Sequence, residues 1–400
     1  MKIKLIILLF LSNTLLFSQR IPESIDSQKL NSQRTFNVVL PASYERDLEK
    51  KYPVLYLLDG EYLLDPFIGN LNLGNYWDDL PEMIIVSINQ NYGETRYEDS
   101  KFDANGIPTE SGANFFEFIG LELLPFVEKK YRTQGFRIIA GHDVTAGLLN
   151  IYLYKDNPVF NGYISISPEM PTEMEKRIPE RLTAVSKNIF YYQAIAEKDD
   201  EVTRENAKKL DENIKINPNF KYQFDEIKGA SHYSLVGQAI PSALYFIFKG
   251  YQPISILEFK TDIVTLEKGY TKYLIEKYNY LNEKLGINIK PRLSDFKAIE
   301  AAILKNKAYP ELQELSKYAE KNYPKTTLGL YHQALYYEKM GEYKKAVKEY
   351  KKAFSKEEIR ELTRNFMLDR EEALKKKEDK SKVEEYAEES TEEAEKKVAE

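Results

Sequence analysis

Cysteine is absent from this sequence of 400 residues. No disulfide can staple the fold, no lipoprotein-type cysteine can be acylated, and stability must come from packing alone. Histidine is nearly as scarce, with His142, His232 and His332 far apart along the chain. With no thiolate beside them, no ligand spacing suggests zinc, and no cofactor is expected. Positive charge is in deficit as well: 57 Lys and Arg stand against 63 Asp and Glu, a formal net charge of −6. No uncompensated basic field is left to hold a phosphate backbone, which argues against a nucleic-acid partner. Tryptophan occurs once, at Trp77. The one long apolar run, Leu5 to Phe17, is short for a membrane span and is broken by Ser12, Asn13 and Thr14, so no span is expected in the mature chain.

Apolar residues make up 42% of the chain and aromatic residues 13%, enough for a large core and more than one ordinary domain needs. Met1-Lys-Ile-Lys places two positive charges before the apolar run, and Ser18-Gln19 follows as a small-residue boundary. That order reads as a secretory signal peptide over residues 1–18. The expected location is therefore periplasmic or extracellular.

Strand-length apolar runs alternate with amphipathic stretches through residues 33–250. The clearest strands are Thr35 to Leu40, Tyr52 to Leu58, Met83 to Ile88, Phe136 to Ala140, Gly162 to Ser167 and Ile189 to Ala196. Phe115 to Tyr131 carries apolar residues at helical spacing, and Gly147 to Tyr154 opens another helix. This alternation predicts an α/β fold, a parallel sheet covered on both faces. After Pro253 the strands stop and the composition turns helical and rich in Lys, Glu and Tyr. There, Met340-Gly-Glu-Tyr-Lys-Lys-Ala346 through Ala353-Phe resembles the second half of a tetratricopeptide repeat, with Ala334 and Tyr337 at first-helix positions. Leu293 to Pro324 reads as a degenerate earlier copy. The predicted organisation is a signal peptide to 18, an α/β domain over 19–252, a helical linker over 253–290, a repeat-like all-α segment over 291–360 and a charged tail over 361–400. The repeat-like segment is a candidate surface for a protein partner.

Gly141-His142-Asp143-Val144-Thr145-Ala146-Gly147 follows a predicted strand and opens a predicted helix. That is the setting of the Gly-x-Ser-x-Gly nucleophile elbow, whose strained turn lifts one side chain above the sheet. Its flanks resemble the putative esterase family of the α/β-hydrolase fold, which includes esterase D and the ferric-enterobactin esterases. The resemblance rests on Tyr52-Pro-Val-Leu-Tyr-Leu-Leu-Asp-Gly60, on Ser111 to Ile119 with Glu122 to Phe126 and Lys130-Tyr-Arg132, on Phe160 to Pro168, and on Ala230-Ser-His232-Tyr-Ser234. The segments run in the family's order over roughly residues 33–250.

In that family a serine attacks an ester carbonyl, a histidine removes its proton and an acid orients the histidine. By resemblance His232 holds the base position. Glu197, Asp199 and Asp200 all fall where the acid belongs, with Asp199 preferred, and the oxyanion donors would be the N–H of Val144 and one from the Gly60-Glu61 loop. Tyr92 to Asp99, with Arg96, occupies the place where the family has an Arg and an Asp lining a loop, so by resemblance it is expected to shape the pocket. The departure is Asp143, an aspartate in the serine's place. A carboxylate needs no deprotonation, and its attack on a carboxylic ester would give a mixed anhydride, so serine-esterase chemistry is not expected. Thr145, Ser165 and Ser167 lie away from the apex. Two readings remain: a catalytically silent binding module for a small ligand, or a hydrolase in which Asp143 attacks an ester- or epoxide-type substrate and His232 activates water. His142 is expected to pack beside the elbow and His332 to be structural.

Overall fold

The computed structural model describes residues 20–90, 94–215 and 218–377. The signal-peptide expectation, Tyr92 and the end of the charged tail lie outside the described residues. By backbone contacts the chain divides into two compact units. One ends at Gln252 and adds Glu283–Ile287; the other takes the rest of the C-terminal half.

The first unit is built on eight strands: β1 (Arg20–Ser27), β2 (Ser32–Val39), β3 (Tyr52–Leu57), β4 (Ile84–Ile88), β5 (Thr133–His142), β6 (Gly162–Ile166), β7 (Ile189–Ala196) and β8 (Phe220–Ile227). Their order across the sheet is β1-β2-β4-β3-β5-β6-β7-β8. β1 with β2 and β2 with β4 pair antiparallel, and all other neighbours are parallel. Successive strand residues face opposite sides of a sheet. Since all six residues of β3 and all eight of β7 are buried, both faces of the sheet are covered. Each fully buried aliphatic or aromatic side chain there contributes about 1.5–3 kcal/mol of transfer free energy. The two edge strands are the ones the apolar pattern did not single out, and their composition explains why. β1 reads Arg-Ile-Pro-Glu-Ser-Ile-Asp-Ser and alternates exposed with half-buried. β8 buries only Phe220 fully.

Helices α1 (Gly60–Tyr76), α2 (Glu94–Asp99), α3 (Glu110–Glu117), α4 (Leu124–Lys130), α5 (Val144–Leu149), α6 (Met174–Leu182), α7 (Glu201–Asn213) and α8 (Ser234–Ile247) connect the strands. The helix expected over Phe115 to Tyr131 starts earlier, at Glu110, because the Thr109 hydroxyl accepts from the Gly112 N–H at 3.4 Å and caps it. A wide π-type turn, Phe118–Leu123, separates α3 from α4. Pro125 then follows directly in α4, so its missing N–H coincides with the wide turn.

The second unit is helical: α9 (Ile256–Glu258), α10 (Tyr270–Leu285), α11 (Leu293–Lys305), α12 (Glu311–Asn322), α13 (Leu328–Lys339) and α14 (Tyr343–Ala353). The small residues of the repeat-like pattern, Ala334, Ala346 and Ala353, are each fully buried, which allows the backbones of paired helices to approach closely. His332 is buried and its Nε2 lies 3.1 Å from Glu300 Oε2, tying α13 to α11. No helix among the described residues is long and apolar enough to cross a membrane.

Candidate active site

β5 carries Gly141 and His142 to the C-terminal edge of the sheet, and Asp143 makes the turn into α5 with φ 65° and ψ −125°. The φ is on the positive side, as an elbow requires, but this ψ lies outside the left-handed helical region expected for an aspartate. Such a conformation costs about 1–3 kcal/mol and persists only where its surroundings hold it. Here they do: the Asp143 N–H donates to the Ile166 carbonyl at 3.0 Å, and its own carbonyl accepts from Gly147 and Glu169 N–H groups, each at 3.1 Å. Gly147 permits this closeness. A Cβ on it would stand 2.1 Å from the Glu169 carbonyl oxygen.

The expected base meets one of the expected acids. His232 Nδ1 donates to Asp199 Oδ1 at 2.8 Å. Asp199 Oδ2 also accepts from the Ser167 hydroxyl and, at 2.7 Å, from the Ala196 N–H. Burial pushes the Asp199 carboxyl upward, but the bonds from His232, Ser167 and Ala196 prevail and hold it below the usual carboxylate range. The bond to Asp199 is also the main reason that the His232 imidazole sits above its ordinary value. The other two acid candidates are occupied elsewhere. Glu197 accepts from the Gly229 N–H at 2.6 Å, and Asp200 caps α7 by accepting from Thr203 N–H at 3.0 Å.

Between His232 and the elbow the fit is looser. His232 Nε2 stands 3.9 Å from Asp143 Oδ1, an ion-pair distance rather than the direct hydrogen bond that the family resemblance implies. The other Asp143 oxygen is taken, since Arg96 Nη1 donates to Oδ2 at 3.2 Å. Arg96 is itself anchored on Asp59, whose side chain is fully buried, and its Nη2 also donates to the His142 carbonyl at 2.9 Å. Asp59 and its partners therefore fix the guanidinium over the elbow. The sequence showed Asp59 only as part of the Tyr52-to-Gly60 segment and offered no signal that it would pair with a residue 37 positions away.

His142 packs beside the elbow with a defined hydrogen-bonding role. Its Nε2 lies 3.1 Å from the His232 carbonyl and its Nδ1 lies 2.9 Å from the Tyr62 hydroxyl. A carbonyl only accepts, so Nε2 carries the proton and the tyrosine donates to Nδ1. Burial, reinforced by the neighbouring His232, pushes the His142 imidazole down to about 4, so the ring is neutral near pH 7.

Of the expected oxyanion donors, Val144 opens α5, one residue past the apex. Gly60 and Glu61 prove to be the first residues of α1 rather than part of a loop, with Asp59 as the left-handed cap. Thr145 turns inward, donating to the Asp59 carboxylate, and Ser165 is buried with its hydroxyl near the Ala146 carbonyl. Among the described residues no group of three or more His, Cys, Asp or Glu side chains could hold a metal ion.

The putative esterase family model matches residues 27–216, a span that includes the elbow and Asp199 and ends before His232. The chain belongs to this family. An uncharacterised protein from Capnocytophaga ochracea is 30% identical to it, with 89% of this chain and 99% of that chain covered at a TM-score of 0.82. That coverage reaches past the sheet unit into the helical one. An IroE-like serine hydrolase from Shewanella oneidensis shares 20% identity, covering 76% and 99% of the two chains at a TM-score of 0.57. The BES protein from Bacillus cereus shares 20% identity over 58% and 96% at 0.50. These last two are likenesses of fold. No curated protein matches the sequence.

Proposed function

We propose that this esterase-family protein is silent as a serine esterase and uses the surface around Asp143 to bind a small ligand. The observation that carries the reading is the bond between Arg96 and Asp143. Serine catalysis needs a hydroxyl at the apex, and the apex holds a carboxylate. Nucleophilic attack by that carboxylate would fall to Oδ1 alone, from a group whose charge is countered by a guanidinium that Asp59 and the His142 carbonyl keep in place against Oδ2. The export expected from the N-terminal segment forms part of the proposal, placing the ligand outside the inner membrane, and the N-terminal residue of the protein recovered from cells tests it.

A second reading is favoured by one specific feature, the 2.8 Å bond between His232 and Asp199. That pair is what an aspartate-nucleophile hydrolase needs to activate water against an ester intermediate formed on Asp143. Turnover measurements separate the readings. Native protein is expected to hydrolyse p-nitrophenyl acetate no faster than His232→Ala, and Asp143→Ser is expected to gain a weak esterase activity. The gain should be modest, because intact triads supply several orders of magnitude and an unrefined replacement recovers a fraction of that. Native turnover of epoxides that vanishes in Asp143→Asn would instead establish the aspartate nucleophile. Native aryl-ester hydrolysis that survives Asp143→Ala would place the active site elsewhere.

A further inference from the structure

Three ionisable side chains at the apex are open to solvent: Asp143 is 30% exposed, Arg96 28% and His232 27%. A ligand settling there meets the charges that act on these groups. They are the carboxylates of Asp59, Asp143, Asp199 and Asp200, with Glu169 itself within reach of Asp143, against the Arg96 guanidinium and the His232 imidazole. Much of the cationic charge is already spent inside the protein. Arg96 is paired with the buried Asp59 and with Asp143, and His232 with the buried Asp199. Even with His232 protonated, carboxylates remain in excess.

Glu169 stands within the same field. Its N–H is bonded to the Asp143 carbonyl, which places it at the elbow rim, and its side chain is exposed. Burial first, then the negative charges of Asp143 and Asp200, hold its carboxyl above the usual range despite the opposing pull of Arg96. Aromatic rings stand at the same place. Tyr62 is 42% exposed and Tyr233 80%. The first lies perpendicular to His142 with ring centroids 5.9 Å apart, the second perpendicular to His232 at 5.0 Å. Carboxylates beside exposed tyrosine rings suit an organic cation, which gains from both the charges and the π faces. An anionic ligand would meet uncompensated repulsion.

We infer that the ligand of this site carries a positive charge, an ammonium or comparable organic cation, seated among Asp143, Glu169 and the rings of Tyr62 and Tyr233. The inference rests on the reading of the apex as a ligand site. Two probes of nearly identical shape test it: acetylcholine, and its neutral carbon isostere 3,3-dimethylbutyl acetate. Each is titrated into the full-length protein while the imidazole NMR signals of His142 and His232 are followed. Acetylcholine is expected to bind about tenfold more tightly than the isostere, and the preference is expected to shrink with added salt and in both Glu169→Gln and Asp143→Asn. Glu169→Gln is an exposed substitution and guards against a folding defect in the other variant. Equal or tighter binding of the isostere would overturn the inference and leave the ligand-site reading standing. If neither probe moves the histidine signals, both fall together. Selective binding of acetylcholine followed by release of acetate would uphold the charge preference and overturn the silence proposed above.

Discussion

The Nε2–H of His142 ends on the backbone carbonyl of His232, and the ring's other nitrogen accepts from Tyr62. This ring thus joins the elbow, α1 and the loop before α8 while remaining uncharged. Its folded-state value of about 4 lies below the ordinary 6.5, so between those limits the unfolded chain binds more protons than the folded one. Stability must then fall as pH drops from 6.5 to 4, by about 3 kcal/mol from this group. The opposite window belongs to His232. Its value is raised, so its contribution is complete below 6.5 and is lost as pH rises through the folded value. Asp199, held low, contributes above 3.8 and loses that contribution only at lower pH. Replacing His142 with Gln keeps an amide donor and removes the titration. Urea unfolding of His142→Gln across pH 4–6.5 should show a markedly flatter stability curve than the native protein. An unchanged slope would mean that the histidine charges without penalty.

Strand β5, the Asp143 turn and helix α5 work as one element because α5 can lie directly against the loop that follows β6. Gly147 is the point of contact. An added Cβ would meet backbone rather than a flexible side-chain end, so the turn or the loop must move. Gly147→Ala is expected to cost about 3 kcal/mol, at the upper end of what overpacking usually costs. Gly237, in the interior of α8, makes the matched comparison. A Cβ there has nothing within 4 Å, so Gly237→Ala should leave stability unchanged or raise it by about 0.5–1 kcal/mol through helix propensity. Chemical denaturation of the two variants checks the pair, and equal losses would refute the close-approach account. The glycine spacing and the strand-to-helix order were legible in the sequence. The exact start of α5, at Val144 rather than Gly147, was not, since it depends on the bonds that the Asp143 carbonyl accepts from Gly147 and Glu169.

Over the whole molecule, the division between sheet unit and helical unit is not a single cut in the chain. Glu283–Ile287, at and just past the end of α10, clusters with the sheet unit, although its sequence reads as part of a linker. Leu285 is fully buried, its carbonyl accepts from the Gln134 side-chain amide at 3.4 Å, and Gly286 lies against Gln134 and Phe136. Leu285→Ala should therefore destabilise the sheet unit by about 2–5 kcal/mol, as truncation of a buried leucine does. A thermal or urea transition followed by the near-UV signal of the tyrosine-rich sheet tests this. A change within about 0.5 kcal/mol would assign the segment to an ordinary surface linker.

The sequence by itself determined the family, the alternating α/β order ahead of a helical half, and the placing of Asp143 at an elbow. Those features are local: apolar runs of strand length, helical spacing, and glycine where a turn or close approach needs it. Choosing among Glu197, Asp199 and Asp200 was a tertiary decision, because three acids within four residues share one local signal and only Asp199 points at both His232 and Ser167. The Arg96 clamp was likewise decided in three dimensions. Its partners, Asp59, His142 and Asp143, lie tens of residues away, and no periodicity links a guanidinium on the short helix α2 to carboxylates at the ends of two separate strands. The edge strands β1 and β8 were hidden for a related reason: a strand exposed along one side needs no continuous apolar run, so pairing with its neighbour, rather than its own composition, makes it a strand.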